Sequence, residues 1–165
     1  LEKIVDTNDD WIQSRTGIKE RRILRDPKKA TSFLAIQASK NLIIKNSLDP
    51  LSIDMVIVAT TTPDMQIAAT AAFVASEIGS HNAFGFDLQA ACSGFLYAMS
   101  IAVGKIESGR YKKVLVIGLS SGSWVRALTY SNLFEKIDVV EINHGYLDLI
   151  KHYPEQSKIF KDSRV

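Results

Sequence analysis

The chain predicts an α/β fold with a buried parallel sheet, and three observations carry that expectation. Residues 55–61 (Met-Val-Ile-Val-Ala-Thr-Thr) and 113–118 (Lys-Val-Leu-Val-Ile-Gly) are apolar, largely β-branched runs without alternation, as suits strands covered on both faces. Between and before them lie segments whose apolar residues recur at helical intervals. Strands alternating with helices pair in parallel through right-handed crossovers. With 165 residues, 46% of them hydrophobic and 23% charged, the chain fits one globular domain able to bury a core.

In chain order, residues 6–12 (Asp-Thr-Asn-Asp-Asp-Trp-Ile) offer several helix-capping side chains before an apolar pair, so a short helix is expected to start near Thr7 or Asn8. Thr16-Gly17 breaks it, and residues 19–24 read as an extended basic arm closed by Asp26-Pro27. Phe33, Leu34, Ile36, Ala38, Leu42 and Ile43 mark an amphipathic helix over 31–46. Asp49-Pro50 leads into the first strand at 55–61. Thr62-Pro63-Asp64 turns the chain into an Ala-rich helix expected over 67–78 and stopped by Gly79. Residues 83–88 form the next strand. The helix expected over 93–108 has almost no polar face before Lys105, and a helix apolar all round is expected to be buried. Ser108-Gly109 ends it ahead of the strand at 113–118. Beyond Gly118 the pattern weakens: residues 119–124 are polar and Gly/Ser-rich, 137–142 fit a strand, 145–152 a short helix, and 155–165 a charged, frayed tail.

The stretch Phe86-Asp87-Leu88-Gln89-Ala90-Ala91-Cys92-Ser93-Gly94-Phe95 turns from strand to helix with the chain's one cysteine at the corner. A thiol at the first turn of a helix faces unpaired backbone N–H groups, which favour the nucleophilic thiolate. The small neighbours Ala90, Ala91, Ser93 and Gly94 leave room for a substrate carbonyl. On spacing alone, however, the commoner outcome for such a residue is an inert core cysteine.

Composition narrows the setting. One cysteine excludes an internal disulfide, and with three scattered histidines it argues against a metal site. A reducing cytoplasm is the expected location. No run of about 18 apolar residues predicts a membrane span, and no basic-then-apolar leader opens the chain. The first residue is Leu1 and the opening falls in mid-pattern, so the chain is expected to be a fragment. The formal charge of +2 is unevenly spread: residues 49–109 carry one Lys/Arg against six Asp/Glu, so the basic excess lies away from Cys92. Its densest part, Arg15, Lys19, Arg21, Arg22 and Arg25, suits ligand phosphates or an acidic partner, or is a solvated basic loop. The mild pI of 8.6 and the lack of interleaved aromatics argue against nucleic acid. The Gly/Ser stretch after Gly118 lacks the Gly-Lys-Ser/Thr ending of a phosphate-binding loop.

Residues 6–22 (Asp-Thr-Asn-Asp-Asp-Trp-Ile-Gln-Ser-Arg-Thr-Gly-Ile-Lys-Glu-Arg-Arg) closely resemble the N-terminal signature of β-ketoacyl-acyl-carrier-protein synthase III. Residues 57–63, 86–98 and 111–118 continue the match in the family's order, so the resemblance runs over 1–118. It implies the N-terminal half of a thiolase-like fold, βαβαβ with a buried central helix after the cysteine, and an incomplete one. Residues 119–165 would be a divergent or truncated continuation. The chemistry implied is a decarboxylating Claisen condensation that starts fatty acid synthesis: Cys92 takes an acyl group from acyl-CoA, and malonyl-carrier protein attacks the resulting thioester. The Cys92 backbone N–H would contribute to an oxyanion hole. By the same resemblance Thr7, Trp11 and Arg15 would bind the nucleotide end of CoA, and Ile67 would line the acyl pocket or the dimer interface. Read on their own, Trp11 is equally a packing residue at a helix start and Arg15 a surface arginine. No cofactor is expected, acyl-CoA being a substrate; the expected partners are acyl-CoA, malonyl-acyl carrier protein and a second copy of the chain.

The departures concern the second half. The family's histidine and asparagine, in motifs resembling Pro-His-Gln-Ala-Asn and Gly-Asn-Thr-Ser, have no counterpart here, nor has its Gly-Asp-Gly-Ala-Gly segment. His144, in Ile142-Asn143-His144-Gly145, is the nearest imitation in unmatched surroundings, while His81 and His152 read as surface residues. Two other functions fit the same residues: a non-catalytic CoA or carrier-protein binding module, and a related condensing enzyme such as a polyketide starter synthase or hydroxymethylglutaryl-CoA synthase.

Overall fold

The structure, a computed structural model, describes residue 3, residues 5–16 and residues 24–118. Residues 24–118 belong to one compact unit and residues 5–16 to another. The expected basic arm at 19–24, apart from Leu24, and the elements expected beyond Gly118, with His144 and His152, lie outside the described residues.

In the larger unit the apolar runs become a three-stranded parallel sheet of order β2-β1-β3, formed by β1 (Met55–Ala59), β2 (Phe84–Leu88) and β3 (Val114–Ile117). Met55 pairs with Phe84 on one side and Val114 on the other, and Ile57 with Phe86 and Val116. The central strand is buried along Met55, Val56, Ile57 and Val58, which explains why its sequence does not alternate. Side chains alternate across a strand, so the run serves two cores. Val56 and Val58 join Leu115 and Ile117 beneath α2 (Thr31–Lys45) and α3 (Thr70–Glu77), where Ala35, Ile36, Ile43, Ala71, Val74 and Ala75 complete the cluster. Met55, Ile57 and Val116 are buried on the opposite face, toward α4 (Gly94–Glu107), which contributes Phe95, Ala98 and Ala102. Each buried valine or isoleucine is worth about 1.5–3 kcal/mol, far above the tenths that separate helix and strand propensities.

Neither α2 nor α3 caps itself. The residues before them are Ala30 and Ala69, with no capping side chain, and the cap comes from elsewhere in the chain. Asp64 Oδ1 accepts from Ser32 N at 2.9 Å, and Asp87 of β2 accepts from Thr70 N at 2.7 Å and Ala71 N at 2.8 Å. These carboxylates meet unpaired N–H groups and the positive end of each helix. At the opposite end of the sheet Asp54 Oδ2 accepts from Lys112 N at 2.7 Å and Lys113 N at 2.9 Å, tying β3 to the start of β1. Gly85 lets α3 lie close on β2: a Cβ there would stand 3.1 Å from Ala71 C and Ala72 N.

Two expectations need correction. The Ala-rich helix starts at Thr70 rather than Ile67, because Ile67 stands fully exposed in the connection and the helix begins where Asp87 can receive its first N–H groups. The helix after the cysteine is not buried all round. Phe95, Ala98 and Ala102 face the sheet, but Tyr97 is 53% exposed and Ser100 is exposed. A single layer against a three-stranded sheet covers only one stripe of a helix.

Candidate active site

The nucleophile candidate sits at the carboxyl edge of the sheet. After β2 the chain passes Gln89 and Ala90 into a 3-10 turn, Ala91–Ser93, and then into α4. The turn's hydrogen bonds are donated by Ser93 N to Ala90 O (2.9 Å) and by Gly94 N to Ala91 O; the Cys92 N–H takes part in neither. Cys92 is a free, exposed thiol, so the inert-core reading of this residue does not hold. Because α3 follows β1 onto one face and α4 follows β2 onto the other, the corner lies where neighbouring connections part, the usual place for a ligand crevice in an open parallel sheet.

The bend is held from both sides. Ala91 has φ +42°, in the left-handed region that an L-residue occupies at a cost of about 1–2 kcal/mol. Upstream, Leu88 O accepts from Thr60 N at 3.1 Å, extending the β1–β2 ladder past its last residue. Downstream, Gly94 is buried so tightly that a Cβ would meet Ala59 Cβ at 3.3 Å. Only glycine brings the first residue of α4 this near the end of β1.

In the other unit, α1 (Asp9–Thr16) begins where the capping residues promise: Asn8 Oδ1 accepts from Trp11 N at 2.8 Å. Gln13 Nε2 donates to Asp9 Oδ2 one turn back. Trp11 and Arg15, four residues apart, share a face, and the Arg15 guanidinium stacks 4.3 Å from the Trp11 ring centroid. Trp11 is half exposed, a large apolar ring held at the surface by its arginine. Thr7 lies just ahead of this helix; its Oγ1 is buried and has no hydrogen-bond partner among the described residues. Thus Trp11 and Arg15 come together, while Cys92 and Ile67 stand in the separate unit of residues 24–118. His81 is exposed, as expected. Among the described residues no group of three His, Cys, Asp or Glu side chains is placed to hold a metal, and no helix is long and apolar enough to cross a membrane.

The sequence assigns no role to Asp87, and it marks Ala91 and Gly94 only as small neighbours of the cysteine. An acid inside an otherwise apolar strand was the available signal for Asp87, since it must be satisfied by buried donors. For Ala91 there was none, because alanine does not prefer the left-handed region.

Known proteins share this segment. Residues 86–131, spanning the bend and α4, match the model of 3-oxoacyl-[acyl-carrier-protein (ACP)] synthase III. Over 118 residues the chain is 56% identical to β-ketoacyl-[acyl-carrier-protein] synthase III of Chlorobium chlorochromatii, covering 72% of this chain and 36% of that protein. The matched part of the chain is a thiolase-like fragment similar to β-ketoacyl-acyl-carrier-protein synthase III. The crystal structure of the synthase III from Aquifex aeolicus superposes with a TM-score of 0.64 at 46% identity, over 72% of this chain and 38% of that one. The priming β-ketosynthase of the R1128 polyketide pathway follows at a TM-score of 0.60 and 40% identity, over 67% and 33%. The α/β unit is accordingly thiolase-like. The chain spans about a third of the length of these relatives. The residues matched by the family model include the end of β2, the bend and α4.

Proposed function

We propose that this chain carries the acyl-accepting part of a β-ketoacyl-acyl-carrier-protein synthase III, with Cys92 as nucleophile. The observation that carries the reading is an exposed thiol in a turn whose own N–H is left out of the turn's hydrogen bonds, in a segment matching the family. In the first half-reaction the Cys92 thiolate attacks the acyl-CoA carbonyl carbon. A bond forms from Sγ to that carbon, the carbon's bond to the CoA sulfur breaks, and CoA leaves, taking up the proton the cysteine gave away. The Cys92 N–H faces the oxygen that becomes negative on the way. In the family's second half-reaction malonyl-carrier protein loses carbon dioxide and its carbanion attacks the thioester, returning the thiolate; the histidine and asparagine of that step have no counterpart in this sequence, so this chain by itself is expected to stop at the acylated cysteine. The reaction is an acyl transfer that needs no cofactor and starts fatty acid synthesis in the cytoplasm.

Trp11, Arg15 and Thr7 are assigned to the nucleotide end of CoA. With Arg15 on one face of the half-exposed indole, a planar base would stack on the other, and the guanidinium's outer donors are suited to phosphate. Ile67, fully exposed at the tip of its connection, is assigned to the acyl pocket or to a homodimer interface. The similarity to the R1128 priming ketosynthase favours, as a second reading, a polyketide starter synthase that differs in its acyl primer. The test is release of free CoA on mixing the chain with acetyl-CoA: a burst of about one equivalent, absent in Cys92→Ala, is expected. No burst, or the same burst from Cys92→Ala, refutes the assignment.

A further inference from the structure

We propose that Asp87 is a positioning residue for Cys92, locking the end of β2 to the first turn of α3 and thereby holding the left-handed bend at Ala91 that places the thiol. A positive φ at an alanine persists only where the flanking chain over-determines it. Downstream, the flank is fixed by packing: Gly94 abuts Ala59, and Phe95, Ala98 and Ala102 seat α4 on the sheet. Upstream, the strand is fixed by hydrogen bonds. Both carboxylate oxygens of Asp87 are used, Oδ2 on Thr70 N and Oδ1 on Ala71 N, and Thr70 Oγ1 in turn accepts from Asp64 N at 3.2 Å. Asp64 itself receives Ser32 N, so the clamp reaches through α3 to α2. Between Leu88, bonded to Thr60, and the closely packed Gly94 only five residues remain, and the bend cannot relax unless one anchor gives. Asp87 is the anchor that depends on one side chain. Charge-assisted bonds to two helix N-terminal amides make it a strong one.

The molecule supplies its own control. Asp54 also receives two consecutive backbone N–H groups, Lys112 N and Lys113 N, but on the single oxygen Oδ2 and at the opposite end of the sheet. Asp87→Asn replaces one of two accepting oxygens by an amide donor, whereas Asp54→Asn can keep its one accepting oxygen; both remove a carboxylate charge, and both are expected to lower stability, Asp87→Asn more. Asp87→Asn is expected to slow acetyl transfer from acetyl-CoA to Cys92 at least tenfold, while alkylation of Cys92 by iodoacetamide, which needs only an accessible thiol, changes less than twofold. Asp54→Asn is expected to acylate within twofold of the unmodified chain. The acyl-transfer arm rests on the reading of Cys92 as an acyl acceptor; a second arm does not. In urea unfolding, Ala91→Gly is expected to raise the folding equilibrium constant about fivefold in the unmodified chain, because glycine occupies a positive φ freely, and less than twofold beside Asp87→Asn, where the bend has relaxed.

Equal slowing of acyl transfer by Asp87→Asn and Asp54→Asn, unchanged transfer in Asp87→Asn, or the same gain from Ala91→Gly in both backgrounds overturns the proposal. If Asp87→Asn does not fold, Asp87→Glu decides: it keeps the charge and both oxygens but moves them by one methylene, so transfer at least tenfold slower with alkylation within twofold is expected, and undiminished transfer overturns the proposal. If the unmodified chain accepts no acyl group, the acyl-acceptor reading fails, and the unfolding arm decides the role of Asp87 by itself.

Discussion

Ala91 and Cys92 occupy adjacent positions with opposite demands, the first accepting a costly backbone angle and the second gaining an exposed sulfur from it. The small residues around the cysteine, Gly94 among them, were legible in the sequence as room for a substrate, but the close approach of Gly94 to Ala59 was not. What could not be read was the angle itself, since it is imposed by anchors that are distant in sequence, Thr60 on one side and Ala59 on the other. At the same scale, the Trp11–Arg15 stack was legible as a pair of residue types one turn apart, but not as a contact. Removing the indole takes away both the stacking surface and the support for the guanidinium. Trp11→Ala is expected to weaken CoA binding by about 1 kcal/mol, roughly fivefold in Kd by isothermal titration, without altering the unfolding midpoint of the unit that holds Cys92.

The strands and helices follow from their sequences to within a few residues, and the differences fall where a tertiary partner sets the boundary. The non-alternating run at Met55–Ala59 could only be a strand buried on two faces, and it is the centre of the sheet. The start of α3 was misread because its cap is Asp87, seventeen residues away, rather than a neighbour. The exposure of Tyr97 was misread because apolar composition does not reveal how many layers will cover a helix. Gly85 lies close against the backbone of α3, where a side chain would press on main-chain atoms that cannot rotate away. Gly85→Val is therefore expected to destabilise the sheet unit by about 1–3 kcal/mol in chemical denaturation, despite valine's better strand propensity. Wild-type stability in that variant would mean that α3 is free to shift.

At the scale of the whole molecule, the sheet is three strands wide among the described residues, and β2 has a neighbour on one side only. Phe84 on that strand is 58% exposed beside Phe86, with ring centroids 5.9 Å apart, and the outer side of α4 adds Tyr97. Apolar surface on an edge strand favours pairing with another copy. The sedimentation coefficient is expected to rise with concentration, and Phe84→Lys, which sets a charge on the edge, to reduce the rise. A concentration-independent monomer would contradict this. The active-site assignment stands or falls separately, on whether the exposed thiol at the bend takes an acyl group from CoA. Incubation with radiolabelled acetyl-CoA, followed by denaturation and peptide mapping, measures that directly: close to one acetyl group per chain on the peptide containing Cys92, and none in Cys92→Ala, is the expected result. An unlabelled wild-type chain, or equal labelling of Cys92→Ala, would contradict it.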